Sequence, residues 1–138
     1  TNYVLMRDII ITAPLFIDMH RKTMKDKRYY INLNVYRNLH HLVNSQLKKA
    51  YLDAVRDQLQ GLSIETPVEI TYKVYKPTKR TLDKMNVVSI TSKFLLDAIT
   101  ELGCWVDDND DYVKTETILP TEYDKNKGRV EITISTVD

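Results

Sequence analysis

Apolar residues recur along the chain with two different spacings, and each spacing predicts a different kind of element. From about Asn34 to Gln60 they recur every three or four residues, which predicts a long amphipathic helix that ends at Gly61. The same spacing predicts a second helix from Asn86 to Leu102. Gly103 follows it, and glycine readily adopts the left-handed conformation that ends a helix.

Four further segments are predicted to be strands. The first is rich in isoleucine, and in the other three apolar and polar residues alternate, which is the pattern of a strand with one buried face. The predicted strands are Arg7–Ile17, Pro67–Tyr75, Val113–Leu119 and Arg129–Val137. Proline cannot donate to a strand ladder, so the first strand is expected to stop near Pro14. The order of the elements predicts an α+β fold, a single two-layer domain over residues 1–138, in which a mixed sheet of about four strands is covered by two helices.

Charge is distributed unevenly along the chain, although the net charge is only +1. Residues 21–80 carry 13 Lys or Arg against 5 Asp or Glu, whereas residues 81–138 carry 6 against 12. A basic segment of this kind favours a polyanionic partner, although such runs are more commonly solvated surface.

The sequence shows no signal peptide, and its longest apolar runs fall far short of the roughly 20 residues that span a bilayer. Cys104 is the single cysteine, so an intrachain disulfide is excluded and a reducing compartment is compatible. We therefore expect a soluble cytoplasmic protein with no membrane partner.

The second predicted helix carries a polar stripe opposite its apolar face. At about 100° per residue the stripe contains Asn86, Ser89, Lys93, Asp97 and Thr100. In the simplest interpretation this is an ordinary amphipathic helix, with Lys93 and Asp97 as an exposed pair four residues apart.

Carboxylates flank this helix, with Asp83 just before it and Asp107 and Asp108 just after it. If the next strand lies back along the helix, we expect the three acids to converge. Adjacent carboxylates repel each other unless a cation neutralises them, and Mg²⁺ prefers oxygen ligands. An acidic turn such as Asp107–Asp111 is also typical of a solvated loop or a calcium site.

Basic residues precede the first of these acids. Lys76, Lys79 and Arg80 are placed to hold the phosphates that an acidic pocket alone would repel. The combination of acids and bases is consistent with a metal-dependent nuclease.

The ordered set of residues resembles the signature of RusA-type Holliday junction resolvases, especially versions carried by bacteriophages. The signature residues are Arg80-Thr-Leu-Asp83-Lys-Met-Asn86, Ser89, Lys93-Phe94-Leu-Leu-Asp97-Ala98, Gly103 and Asp107-Asp108-Asn109. The segment from Ile31 to His40 is also similar, so the resemblance extends from about Ile31 to the last strand.

The resemblance implies a homodimer that binds four-way and other branched DNA and introduces paired nicks with Mg²⁺, for which Mn²⁺ can substitute. No organic cofactor is implied. It implies that Asp83, Asp107 and Asp108 are catalytic metal ligands and that Lys93 offsets charge on the phosphate, with Asp97 as a further candidate ligand. On the same basis Asn86 and Ser89 contact DNA or orient ligands.

The chain departs from the family pattern in two respects. Better-known members carry two aspartates separated by one residue, whereas here Asp83 stands alone and Met85 occupies the second place. The spacing from Asn86 to the paired acids is also about four residues longer, close to one helical turn of about 3.6 residues. Two alternatives stay open. The missing second aspartate favours a catalytically inactive module that binds branched DNA, and the acidic turn, taken as a structural calcium site, favours a calcium-stabilised interaction domain.

Overall fold

The structure is a computed structural model that describes residues 2–137. Its helices are α1 (Leu33–Arg37), α2 (His41–Leu59) and α3 (Lys84–Glu101). Its strands are β1 (Tyr3–Val4), β2 (Ile9–Ala13), β3 (Phe16–Met19), β4 (Lys27–Tyr30), β5 (Leu62–Ser63), β6 (Val68–Lys76), β7 (Val113–Ile118), β8 (Glu122–Tyr123) and β9 (Arg129–Thr136).

The main sheet is mixed and has five strands. Its order is β2-β9-β6-β7, and the short β8 also pairs with β6, beyond the end of β7. Strand β6 is antiparallel to β9 and parallel to β7 and β8. The parallel pair β6 and β7 is connected through α3, because parallel neighbours need a crossover connection.

The core lies between one face of this sheet and the helices. Alternate residues of β6 and β9 are buried, and the buried faces of α2 and α3 complete the core. The rings of Tyr51 and Phe94 are both buried in it, with their centroids 5.5 Å apart, and the half-buried ring of Tyr36 packs against Phe94 from the margin, 6.0 Å away. The predicted two-layer α+β class is confirmed.

Both predicted glycine stops are confirmed. Gly61 has φ of 81° and Gly103 has φ of 75°. At the end of α3 the Gly103 N–H donates to the Thr100 carbonyl and the Cys104 N–H donates to the Ile99 carbonyl. This is the two-bond arrangement in which a left-handed residue satisfies the last helical carbonyls.

The prediction of one helix from Asn34 to Gln60 is wrong, because the chain breaks between Arg37 and His41. The backbone N–H of Asn38 caps the end of α1, and the ring Nδ1 of His40 accepts a hydrogen bond from the Leu42 N–H at 3.2 Å. Leu39 still packs against the core across the break. The helical spacing of apolar residues therefore continues across the interruption between α1 and α2, so the spacing alone could not predict the interruption.

The stop expected near Pro14 in the first predicted strand is confirmed, but the segment Arg7–Ile17 contributes to two strands and not to one. Strand β2 ends at Ala13 before Pro14, and the next strand, β3, leaves the main sheet to pair with β4. The end of the basic segment from His20 to Arg28 therefore lies in strand β4.

The free edge of β2 is covered by a side chain of α2. The Gln58 Oε1 accepts from the Thr12 N–H at 2.7 Å, and the Gln58 Nε2 donates to the Thr12 carbonyl at 2.8 Å. The amide thus satisfies the backbone groups that a neighbouring strand would otherwise pair with, which blocks edge-to-edge association at this residue. Among residues 2–137, no helix combines the length and the hydropathy needed to cross a bilayer.

Candidate functional site

The β6-α3-β7 unit determines where the candidate residues lie. Helix α3 runs back along the sheet, antiparallel to both strands that it connects. Residues just before α3 therefore lie beyond the end of β6, and residues just after it lie before the start of β7. Asp83 belongs to the first group, whereas Asp107 and Asp108 belong to the second.

Asp83 does not meet the paired acids within the chain, so the expected convergence is wrong. Asp83 is the N-cap of α3, and its Oδ1 accepts from the Met85 N–H at 3.1 Å and the Asn86 N–H at 3.3 Å. Asp97, which lies near the paired acids, is fourteen residues further along the helix, or about 21 Å at about 1.5 Å per residue. The crossover connection separates the two groups of acids because it spans the full length of the sheet.

A different set of carboxylates is brought together at the C-terminal end of α3. The pKa of Asp108 is raised, first by partial removal from water, then by hydrogen bonding to and repulsion by Asp107, with a smaller contribution from Asp97. The Asp107 Oδ1 also accepts from the Asp108 N–H at 2.8 Å. These three acids, which we call the acidic cluster, include Asp97, the further candidate ligand.

The acidic cluster is not a preformed cage. Within residues 2–137 no group of three or more His, Cys, Asp or Glu side chains is arranged to hold a metal ion. Mg²⁺ usually keeps several waters and is held by one or two carboxylates together with substrate phosphates. Asp107 and Asp108 supply two adjacent oxygen ligands, and the mutual repulsion of their charges is what a cation would relieve. The donor set therefore fits Mg²⁺.

Asp97 has a cationic partner, but not the one expected from its spacing. Its Oδ2 lies 2.7 Å from the Nζ of Lys48 on α2, so the interhelical pair replaces the expected pair with Lys93. Lys93 is exposed, with its Nζ 6.0 Å from the Tyr36 ring centroid. In the part of the chain that the structure describes, Lys93 makes no ion pair and its ammonium group is open to solvent.

The rest of the polar stripe is confirmed as a surface feature. Ser89 is exposed and Asn86 is half-buried, and the Ser89 Oγ donates to the Asn86 carbonyl at 3.2 Å. Thr100, at the far end, accepts from the Trp105 Nε1 at 2.6 Å. The stripe thus runs along α3 from the Asp83 end to the acidic cluster, with Lys93 between them.

The predicted basic residues lie at the Asp83 end of α3. Lys76 and Arg80 line a cleft of about 420 Å³, and the Lys76 Nζ donates to the Arg80 carbonyl at 3.0 Å. Lys79 is exposed, and its Nζ lies 5.8 Å from the Tyr123 ring centroid. We call the opening lined by Lys76 and Arg80 the basic cleft.

The opposite wall of the basic cleft was not expected from the sequence. That wall comes from β3 and β4, through Phe16, Arg28 and Tyr30. The Arg28 side chain forms a fork with Asp18, its Nε 2.8 Å from Oδ1 and its Nη2 3.1 Å from Oδ2. The clustering of Lys and Arg from Arg21 to Arg28 was the available signal, but the pairing of β3 with β4 was needed to place it.

A second unexpected group connects α3 to the sheet. The Oε1 of Glu116 on β7 accepts from the Tyr72 hydroxyl at 2.6 Å and from the Ser92 Oγ at 2.7 Å. Burial raises the pKa of Tyr72, and the hydrogen bond to Glu116 adds to that rise. Glu116 pairs with Ile70 and Ile118 with Tyr72, so both stand on the inward-facing side of β7. Lys114 and Ile118 share its side of the alternating pattern in the sequence, so that pattern gave no signal for Glu116. Its contacts indicate a structural role in fixing α3 on the sheet.

Comparisons with known proteins give no family for this chain. No protein-family model matches it, and no curated protein matches it significantly.

Proposed function

We propose that this chain is a structure-selective endodeoxyribonuclease that binds four-way and other branched DNA and hydrolyses it with Mg²⁺. The observation that carries the proposal is the surface of α3, where the polar stripe extends from the basic cleft to the acidic cluster with the ammonium group of Lys93 between them. The resemblance of the sequence to RusA-type resolvases supports the choice of substrate.

The dimensions of this surface suit a DNA backbone. The two ends of the stripe are about 21 Å apart. This is the length of about six base pairs at about 3.4 Å each. One arm of a junction can therefore contact the basic cleft with one stretch of its backbone while another phosphate reaches the acidic cluster. Lys76, Lys79 and Arg80 would hold phosphates without reading sequence, which suits an enzyme that selects DNA by its branching.

The residues at and beside the acidic cluster have distinct roles in the proposed reaction. Asp107 and Asp108 would hold Mg²⁺, with Asp97 beside them and Lys48 keeping the Asp97 side chain in place. When bound, the ion would polarise the phosphodiester and lower the pKa of water. Lys93 stands one helical turn before Asp97 and would offset negative charge as it builds up on the phosphate.

Asp83 has a different part in this proposal from the one that the resemblance implies. As the N-cap of α3 it positions the helix that carries Ser89 and Lys93, and it is not a metal ligand. Asn86 and Ser89 would contact the phosphates that lie between the two ends of the stripe. If Asp83 is a cap and not a ligand, the absence of a second aspartate at position 85, where this chain has Met85, does not affect catalysis.

The proposal includes a homodimer in the cytoplasm. A four-way junction has approximate twofold symmetry, so a twofold dimer would present two identical sites to two equivalent strands and produce paired nicks. The single cysteine is compatible with a reducing compartment, and burial raises the pKa of the Cys104 thiol, which disfavours the reactive thiolate.

A second candidate function is favoured by one specific observation. With Asp83 at the helix N-cap, no group of three carboxylates within residues 2–137 is arranged to hold a metal ion. A module that binds branched DNA without cutting it needs only the basic cleft and the polar stripe. Both candidate functions predict that the protein binds branched DNA, and only the first predicts that it cleaves the DNA.

A junction cleavage assay tests the proposal. Purified protein is incubated with a labelled synthetic four-way junction and with a linear duplex of the same sequence, with and without Mg²⁺. We expect paired nicks in the junction that need Mg²⁺, and much less cleavage of the duplex. Asp108→Asn should abolish cleavage while junction binding, measured in Ca²⁺, is retained.

Asp110→Asn is the matched control, because Asp110 lies exposed in the same turn and its contact with Lys114 uses the backbone carbonyl. It should cleave like the wild type. Junction binding without cleavage by the wild type would show the inactive module. A wild type that binds no junction but gains thermal stability from Ca²⁺ would instead show the calcium-stabilised interaction domain.

A further inference from the structure

Strands β3 and β4 form a two-stranded antiparallel hairpin outside the main sheet. Their register pairs Phe16 with Tyr30 and Met19 with Lys27, and residues 20–26 form the tip. The inward face of the hairpin packs on the domain through Ile17, Met19 and Tyr29. The hairpin is therefore anchored at its base, and its tip is left in solvent.

The tip carries cations that lack acidic partners. Residues 20–28 include five Lys or Arg and a single acid, Asp26. Asp26 is already 3.1 Å from the His20 Nδ1. Lys22 and Lys25 are exposed and have no ion pair among residues 2–137. So many like charges repel each other in the free protein, and a polyanion would relieve that repulsion.

The base of the hairpin is braced rather than free. Arg28 holds Asp18 in a two-bond fork, and the hydrogen bond from Arg28 lowers the pKa of Asp18. The guanidinium carbon of Arg28 also lies 3.8 Å from the Phe16 ring centroid. Arg28 is thus neutralised and held on the ring. It stiffens the hairpin, and the cations available to a ligand are those of the tip.

The hairpin continues the wall of the basic cleft. Phe16, Arg28 and Tyr30 face Lys76 and Arg80 across it. Each strand has four residues, about 13 Å at about 3.3 Å per residue. The tip cations therefore extend the positive surface outward from the cleft by a distance comparable to the major-groove width of about 12 Å.

We infer that the β3–β4 hairpin is a phosphate-binding arm for DNA, in which the cations of residues 21–27 contact the backbone of the duplex whose phosphates enter the basic cleft. The ligand chemistry is a phosphodiester backbone, contacted without base readout. The inference rests on the proposed DNA-binding function and adds a second contact site to it. It requires no metal and no cleavage.

The test measures how binding depends on salt. Three proteins are titrated with the synthetic junction at several salt concentrations, in Ca²⁺ so that the DNA stays intact. They are the wild type, the hairpin variant Lys22→Ala/Lys25→Ala and the control pair Lys49→Ala/Lys125→Ala. The control pair removes the same charge from exposed lysines on α2 and on the turn before β9. Because these four lysines are exposed and their side chains make no hydrogen bond or ion pair within the described residues, both double variants should keep the melting temperature of the wild type.

The expected result is weaker binding by the hairpin variant, with the slope of log affinity against log salt reduced by about 0.9 for each phosphate that the variant no longer neutralises. The control pair should keep the wild-type slope. Equal slopes for all three proteins, with tight junction binding, would overturn the arm while leaving the proposed function intact. A wild type that fails to bind the junction overturns both. Loss of binding to phosphatidylserine vesicles in the hairpin variant, with junction binding unchanged, would assign the arm to a membrane surface and overturn the inference.

Discussion

Removing the Asp83 carboxylate tests whether this residue is a helix cap or a metal ligand. In the structure its Oδ1 satisfies two backbone N–H groups at the start of α3, those of Met85 and Asn86. Asp83→Ala leaves both donors to water and removes a negative charge from the positive end of the helix. Asp83→Ser keeps a capping oxygen but withdraws the carboxylate.

The magnitude follows from these two contributions. Loss of an N-cap costs about 1 kcal/mol. Loss of the charge next to the helix dipole costs about 0.5 kcal/mol more at an exposed position. Asp83→Ala should therefore lower the free energy of unfolding by about 1.5 kcal/mol. For a domain of this size this is a fall of about 5 °C in melting temperature. Asp83→Ser should lose only the dipole contribution of about 0.5 kcal/mol.

The assay combines urea unfolding with junction cleavage on the same preparations. If Asp83 is a cap, the Ser variant is nearly as stable as the wild type and cleaves the junction at a similar rate in Mg²⁺. A Ser variant that is stable and binds the junction, but does not cleave it, would refute this reasoning and restore Asp83 as a ligand. Asp108→Asn, which leaves the cap untouched, is the comparison for loss of cleavage.

Two further predictions concern stability. Because the folded state raises the pKa of Asp108, the ionised carboxylate lowers stability, so Asp108→Asn should raise the free energy of unfolding near neutral pH. That gain in stability should decrease as the pH drops through the folded-state pKa of Asp108 and vanish below the ordinary aspartate pKa of about 3.9. Urea unfolding of both proteins at several pH values measures it, and a gain that does not change with pH would contradict the prediction. Gln58→Ala removes both hydrogen bonds to the edge residue Thr12 and should cost about 1–2 kcal/mol. Exposed Gln60→Ala is its control, and equal urea midpoints for the two variants would show that the edge cover contributes nothing.

Local patterns determined much of the fold. The spacing of apolar residues predicted α3 to within two residues at its start and one at its end, and Gly61 and Gly103 marked the ends of α2 and α3. Both signals are local, because the period of the apolar residues and the backbone freedom of a glycine depend only on residues close together in the sequence. The polar stripe from Asn86 to Thr100 was visible for the same reason. Periodicity did not show the break at Asn38–His40, since the caps that make it stable are local hydrogen bonds rather than apolar contacts.

Only the tertiary structure decided the distances between residues that are far apart in the sequence. Asp83 and Asp108 flank the same helix, and their spacing in the sequence does not say that a crossover from β6 to parallel β7 holds them at opposite ends of the sheet. Packing of α2 against α3 joins Asp97 to Lys48, and the pairing of β3 with β4 places Arg28 across a cleft from Arg80. Residue order alone does not choose the partner of a strand or a helix, because pairing and packing depend on burial summed over the whole domain. That choice is what brought these side chains together or kept them apart.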